Sequence, residues 1–150
     1  MRRQSICLLC VMLLSTLLLG HVFAADDADA IKRVIQKSYF NGAFNELDTE
    51  SMRKGFHPDF AIFSAKGDAL AKYPITVWID GIEKGKKDPN FDPARAKMVC
   101  KIVSLDITGE CAAAKIEISK EDKLIYTDYL SLLKFEDGWK IAAKVYHAHK

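Results

Sequence analysis

What is scarce in this sequence narrows it first. It has no glycine-rich phosphate loop, no G-x-S-x-G turn and no internal repeat. Nucleotide-cradling loops, the hydrolase nucleophile elbow and stacked-repeat architectures are thereby set aside. Cysteine and histidine number four each and nowhere take the spacing of a zinc site, so no metal is expected. Neither sign of charge dominates, since 22 basic residues against 20 acidic ones leave a formal +2. Without a basic field there is no electrostatic footprint for nucleic acid.

Long apolar runs are confined to one place. Ile6 to Leu19 is almost unbroken, after Arg2 and Arg3 and before Gly20-His21-Val22-Phe23-Ala24. A basic start, an apolar middle and a Val22-x-Ala24 exit have the form of a secretory signal peptide cleaved before Ala25. An uncleaved anchor helix is the competing reading, because the run is nearly long enough to span a bilayer. With cleavage, residues 1–24 leave and residues 25–150 form one domain of about 126 residues, enough to bury a core unaided. Arg2 and Arg3 go with the signal, so the domain is close to neutral. The expected destination is the periplasm or the outside, with no membrane attachment left.

The first part of the domain reads as helical. Over 26–46, Ile31, Val34, Ile35 and Tyr39 form one apolar stripe and Phe40, Ala43, Phe44 and Leu47 a second, both at helical spacing. Asp26, Asp27 and Asp29 suit its N-terminus. Asp48 is an N-cap for a short second helix, with Leu47 and Met52 placed as a hydrophobic staple and Gly55 and Pro58 ending it. Asp59 to Ser64 reads as a strand and Ala65-Lys66-Gly67-Asp68 as a turn, with Ala69 to Tyr73 returning. Ile75, Trp78, Ile79 and Ile82 predict a third helix. Residues 85–93, polar and carrying two prolines, link it to the rest.

The remainder reads as antiparallel sheet. Met98, Cys100 and Ile102 are apolar at even positions, whereas Val103, Leu105 and Ile107 are apolar at odd ones. A strand with one buried face cannot change parity without an extra residue, so a β-bulge is expected near Ile102-Val103. A two-residue loop at Gly109-Glu110 sets Ile107 opposite Ala112, Leu105 opposite Ala114 and Val103 opposite Ile116. Cys100 and Cys111 then lie about 26 Å apart along the hairpin and on opposite faces. A disulfide needs Cα atoms within about 7 Å, so both thiols are expected to be unpaired.

In the last hairpin, a three-residue loop Glu136-Asp137-Gly138 with a glycine bulge pairs Phe135 with Trp139, Leu133 with Ile141, Ser131 with Ala143, Tyr129 with Val145 and Thr127 with His147. Thr127, Tyr129, Ser131 and His147 then share the inward face of Trp139. Asp128, Leu130, Lys144 and Tyr146 share the other face. A bulge that shifted the last strand would turn Asp128 and Lys144 inward instead.

Helices first, a proline-marked link, and long strands ending in Asp137-Gly138-Trp139-Lys140-Ile141 resemble the nuclear transport factor 2-like (SnoaL-like) superfamily. Within it the chain looks like the family described as "putative lumazine-binding". The matching pieces are Tyr39-Phe40-Asn41-Gly42, Phe56-His57-Pro58-Asp59, Asp106-Ile107-Thr108-Gly109, Ala112-Ala113-Ala114-Lys115 and Thr127-Asp128-Tyr129-Leu130, followed by Lys144-Val145 and His147. The resemblance implies an α+β fold: a cone-shaped, curved antiparallel sheet wrapped around about three N-terminal helices, with a pocket at its open end. Relatives of this shape include isomerases, dehydratases, cyclases and non-catalytic binding or assembly domains, so the fold alone assigns no function.

Candidate residues follow from the register. His147 beside Trp139 is a candidate acid/base group; its competing role is a histidine at a fraying terminus. His57, before Pro58, faces the pocket entrance or simply anchors a turn. Tyr39 and Trp78 line the cavity or belong to the core. Thr127, Tyr129 and Ser131 complete the expected ligand-binding set. Asp128 and Lys144 form an ion pair on the far face, at a homodimer interface through the sheet; turned inward, Asp128 becomes an acid/base group held ionised by Lys144. Three functions stay open: binding of a small apolar or aromatic molecule, cofactor-independent catalysis of the isomerase, dehydratase or cyclase kind, and protein interaction through the sheet.

Overall fold

In the computed structural model, residues 26–92 and 97–150 are described. The expected signal peptide and its cleavage point lie outside the described residues.

The first helix, α1, spans 26–45 and changes character midway: it is α-helical over 26–34 and π-helical over Ile35–Asn45. The two stripes read at i, i+3, i+4 spacing therefore merge in the second half. There, i→i+5 hydrogen bonding brings residues five apart onto one face. Tyr39 and Phe44 meet edge to face with ring centroids 5.3 Å apart. Helix α2, Thr49–Gly55, is capped by Asp48, whose Oδ1 accepts from the backbone N–H of Glu50 and Ser51 at 3.1 Å each. It packs closely on α1, since a Cβ on Gly55 would stand 2.0 Å from Ser38 Oγ, so only glycine fits there. Helix α3 is Ile75–Gly85.

Six strands form one sheet in the order β2-β1-β6-β5-β4-β3, with β1 Phe56–Lys66, β2 Ala69–Pro74, β3 Val99–Thr108, β4 Cys111–Lys120, β5 Lys123–Phe135 and β6 Gly138–Ala148. The sheet is mixed: β1 runs parallel to β6, and every other neighbour is antiparallel. The core lies between its concave face and the helices, with Ile31, Ile35, Tyr39, Met52, Phe56 and Ile79 meeting Ile116, Ile118, Leu130, Leu132 and Ile141.

The β3–β4 hairpin follows the sequence reading. Its loop is Gly109-Glu110, with Gly109 at a φ of 58° that suits the first loop position. Ile107 pairs with Ala112, Leu105 with Ala114, and the ladder shifts between Ile102 and Ser104. The bulge ejects Val103, so Ile102 and not Val103 faces Ile116. Among the described residues Cys100 and Cys111 are not joined in a disulfide.

The β5–β6 hairpin departs from it. Phe135 pairs with Gly138 and Lys134 with Trp139, so the loop holds two residues, not three. The ladder then shifts between Ser131 and Leu132: Leu132 pairs with Ile141 and Ser131 with Ala143. Ala142 is the extra residue. Beyond it Tyr129–Val145 and Thr127–His147 pair as expected from the sequence. A two-residue loop followed by a bulge reaches the same pairs as a three-residue loop. It reverses which of them look inward relative to Trp139.

Candidate functional site

That reversal builds the site. On β6, Trp139 and Ile141 point into the core, the chain gains a residue at Ala142, and the inward position passes to Lys144. On β5 the even-numbered residues face the core. Asp128 and Leu130 are both buried, while Tyr129 is 51% exposed.

Three side chains meet beneath the sheet. Tyr39 donates its hydroxyl hydrogen to Asp128 Oδ2. Lys144 Nζ donates to the Tyr39 oxygen at 2.7 Å and lies 3.0 Å from Asp128 Oδ2. Aromatic rings surround the ammonium: its nitrogen is 5.2 Å from the Tyr39 centroid, 5.9 Å from Phe44, 5.6 Å from Trp78 and 5.2 Å from Tyr146. Such distances are in cation–π range. Asp128 Oδ1 is buried and has no hydrogen-bond partner among the described residues.

The electrostatics follow from burial. Loss of water pulls the Lys144 amine below its ordinary 10.5, against the pull of Asp128 in the other direction. Burial, then the negative charge of Asp128, drives the Tyr39 hydroxyl well above 10. The half-buried Cys100 thiol is pushed up to about 12, by burial first and Asp128 second. Among the described residues no cluster of three or more His, Cys, Asp or Glu side chains could hold a metal ion.

Lys144 also lines an open cavity of about 520 Å³. Phe44, Tyr73, Trp78, Tyr126 and Tyr146 are its aromatic lining, and Ile62, Ser64, Ala71 and Lys72 complete it. Within this set the sequence reading named Trp78 and Lys144, and it named Tyr39 just beneath.

Other expected residues lie elsewhere. His147, Tyr129 and Ser131 are on the outer, convex face, because the Ala142 bulge leaves odd-numbered residues of both strands outside beyond that point. His147 is exposed and meets His149 edge to face at 4.8 Å. Thr127 is screened from solvent, but its hydroxyl is 2.9 Å from His149 Nε2, away from the cavity. His57 lines a separate pocket of about 180 Å³ with Arg53, Phe56 and Ile79. It stacks on Phe135 at 4.9 Å and its Nδ1 accepts from the Asp59 N–H at 3.1 Å, the turn-anchoring role. Asp128 and Lys144 pair as expected but face inward, not across a dimer interface on the sheet.

The sequence reading missed Phe44, Tyr73, Tyr126 and Tyr146 as cavity residues. For the last two a signal existed: Tyr126 and Asp128, like Lys144 and Tyr146, are two apart and so share a face.

The comparisons agree with this architecture. The profile of the family described as "putative lumazine-binding" matches residues 26–147, and the chain belongs to that family. Among solved structures, a nuclear transport factor 2-like protein from Shewanella baltica is 31% identical with a TM-score of 0.66, covering 84% of this chain and 96% of its own. One from Methylobacillus flagellatus is 32% identical with a TM-score of 0.62, covering 83% and 94%. The chain is also 25% identical over 114 residues to a protein named aldolase FrzH from a Cladobotryum species, covering 71% of this chain and 81% of that one.

Proposed function

We propose that this chain is an exported domain that binds a small, flat, largely apolar molecule carrying one electron-rich polar group. The observation that carries the proposal is Lys144, the one buried ammonium among the described residues, in the lining of an aromatic cavity of about 520 Å³. Few polar groups converging in an apolar cleft is the usual composition of a small-molecule site. The rings would hold the flat body of the ligand and Lys144 would orient its carbonyl or carboxylate. Dimerisation through the outer sheet face is part of the proposal, because Tyr129, Val145 and Leu133 are exposed there. The same face supports a broader reading as a protein-interaction module.

A second reading, catalysis, is favoured by one observation. Lys144, Tyr39 and Asp128 form a contiguous set of titratable groups of which Lys144 lines the cavity. Similarity to a protein named an aldolase is consistent with it. His147 has no part in this reading, and Asp128 would act through Lys144 and Tyr39.

Equilibrium titration of the protein with benzoate, benzaldehyde and lumazine, read by quenching of tryptophan emission, tests binding. Saturable quenching that is lost in Trp78→Phe but kept in Trp139→Phe is expected. No saturation with any of the three, together with no retained small molecule by native mass spectrometry, would remove the binding proposal.

A further inference from the structure

Lys144 combines features that rarely coincide in a lysine that only balances charge. It is buried, it lines a cavity whose rings Phe44, Trp78 and Tyr146 surround its amine, and it touches two groups able to move a proton. We propose that Lys144 captures an aldehyde or ketone in the aromatic cavity as a covalent protonated imine. This deepens the binding reading and rests on it.

The chemistry closes with the groups present. The Lys144 ammonium passes a proton to Asp128, which leaves a neutral amine and a carboxylic acid. The amine nitrogen adds to the carbonyl carbon, and the carbonyl π electrons move to oxygen. A proton shifts from nitrogen to that oxygen along the Tyr39 hydroxyl, which lies 2.7 Å from Nζ, to give a neutral carbinolamine. Asp128 returns its proton to the carbinolamine hydroxyl, which leaves as water, and the nitrogen lone pair forms the C=N bond. The net change is one carbonyl compound plus one ammonium giving one iminium plus one water. No oxidant, metal or cofactor is consumed.

Three structural facts favour this end state. The iminium carries the same single positive charge as the ammonium it replaces, so the pairing with Asp128 and the contact with the four rings survive. The 520 Å³ cavity that Lys144 lines with Trp78 and Tyr146 offers room for the carbonyl's substituents. Asp128 Oδ1, buried and without a partner among the described residues, is an acceptor with capacity for the transferred proton. Burial also lowers the amine's pKa, and each pH unit by which it falls raises the neutral fraction at pH 7 about tenfold.

The test is reductive trapping on the full domain. The protein is incubated at pH 7 with cyanoborohydride and, separately, benzaldehyde, phenylacetaldehyde or pyruvate, then digested and mapped by mass spectrometry. One adduct per chain is expected with at least one probe, at Lys144, forming at least about tenfold faster than at any exposed lysine. Lys72, exposed and lining the same cavity, is the internal control. In Lys144→Arg, which keeps a cation but cannot form an imine, trapping should vanish while the melting temperature is retained within a few degrees. Tyr39→Phe should slow trapping without abolishing equilibrium binding of benzoate. Labelling that favours Lys72 or spreads over surface lysines would overturn the proposal. So would absence of trapping while benzoate still binds, an outcome that leaves the binding reading intact. Absence of both would defeat the two together.

Discussion

Replacing Asp128 by asparagine isolates what the buried pair contributes. Asparagine has the same shape, and its amide oxygen can still accept from the Tyr39 hydroxyl, so the lost element is the negative charge beside Lys144. The amine is then left either charged and unpaired or neutral. Neutralising an amine of ordinary pKa 10.5 at pH 7 costs about 4.8 kcal/mol, from 3.5 pH units at about 1.36 kcal/mol each. That is a ceiling on the electrostatic penalty, since the protein can always take the neutral route. It agrees with the ~3–5 kcal/mol seen when one member of a buried pair is removed. Part of the ceiling is already met, because burial holds Lys144 below 10.5 in the native protein. We therefore expect Asp128→Asn to lose about 3 kcal/mol at pH 7, leaving a domain of ordinary stability folded.

The pH dependence has a definite sign. Without Asp128 the folded-state pKa of Lys144 falls further, while the unfolded chain keeps the ordinary value. Between those two values the unfolded state binds more protons, so the variant gains stability relative to the native protein as pH rises. At pH 9 the ceiling is only about 2 kcal/mol, and the deficit should shrink to about 1 kcal/mol. Urea unfolding followed by the emission of Trp78 and Trp139 at both pH values measures this. A companion variant, Asp128→Leu with Lys144→Met, removes both charges and should lie closer to the native protein than Asp128→Asn does. A deficit below about 1 kcal/mol at pH 7, or one equal at the two pH values, would refute the account of Lys144 as a desolvated cation held by Asp128.

The same geometry makes three further predictions. Cys111, exposed at the hairpin tip, should react with an aromatic disulfide reagent within the mixing time of ordinary bench assays at pH 8, while Cys100, half-buried and pushed up to about 12, should react only on unfolding. A raised thiol pKa stabilises the fold below pH 9.0 and loses that contribution as pH climbs towards 12, so Cys100→Ala should flatten the alkaline limb of the stability profile in that window. Deleting Ala142 should regularise the β5–β6 ladder while Ile141, Ala143 and Lys144 keep their partners Leu132, Ser131 and Leu130, so Lys144 stays on the core face; selective trapping of aldehydes at Lys144 should be kept, and a fall to the level of exposed lysines would show that strand alternation does not set its direction.

Much of the fold was legible because apolar parity and turn chemistry agreed. In β3 the change from even to odd apolar positions announced a bulge, and the ladder breaks there. In β4, Ala112, Ala114, Ile116 and Ile118 alternate without exception, and all four are buried. The conversion of α1 to a π-helix was not legible, because Tyr39, Phe40, Ala43 and Phe44 satisfy i+3, i+4 and i+5 spacing together. The parallel β1–β6 pairing was also out of reach: residues 56 and 141 are brought together by the tertiary fold, and no local pattern records it.

The site itself turned on one residue of register. The pairs Thr127–His147 and Tyr129–Val145 come out the same whether the loop has three residues or has two and is followed by a bulge, so pairing arguments along this hairpin alone could not choose between the faces. The neighbouring strand could. Antiparallel pairing of β5 with β4 sets Ala114 opposite Leu130, Ala112 opposite Leu132 and Ile116 opposite Asp128. Directly opposed residues share a face, so the buried alanines and isoleucines of β4 oblige Leu130, Leu132 and Asp128 to point inward with them. Asp128 is then committed to the core by hydrocarbon on either side of it, and a buried carboxylate needs a cation. Lys144, which shares a face with Asp128 and Tyr146, is the cation within reach. The polar centre follows from the apolar pattern of the strand next door.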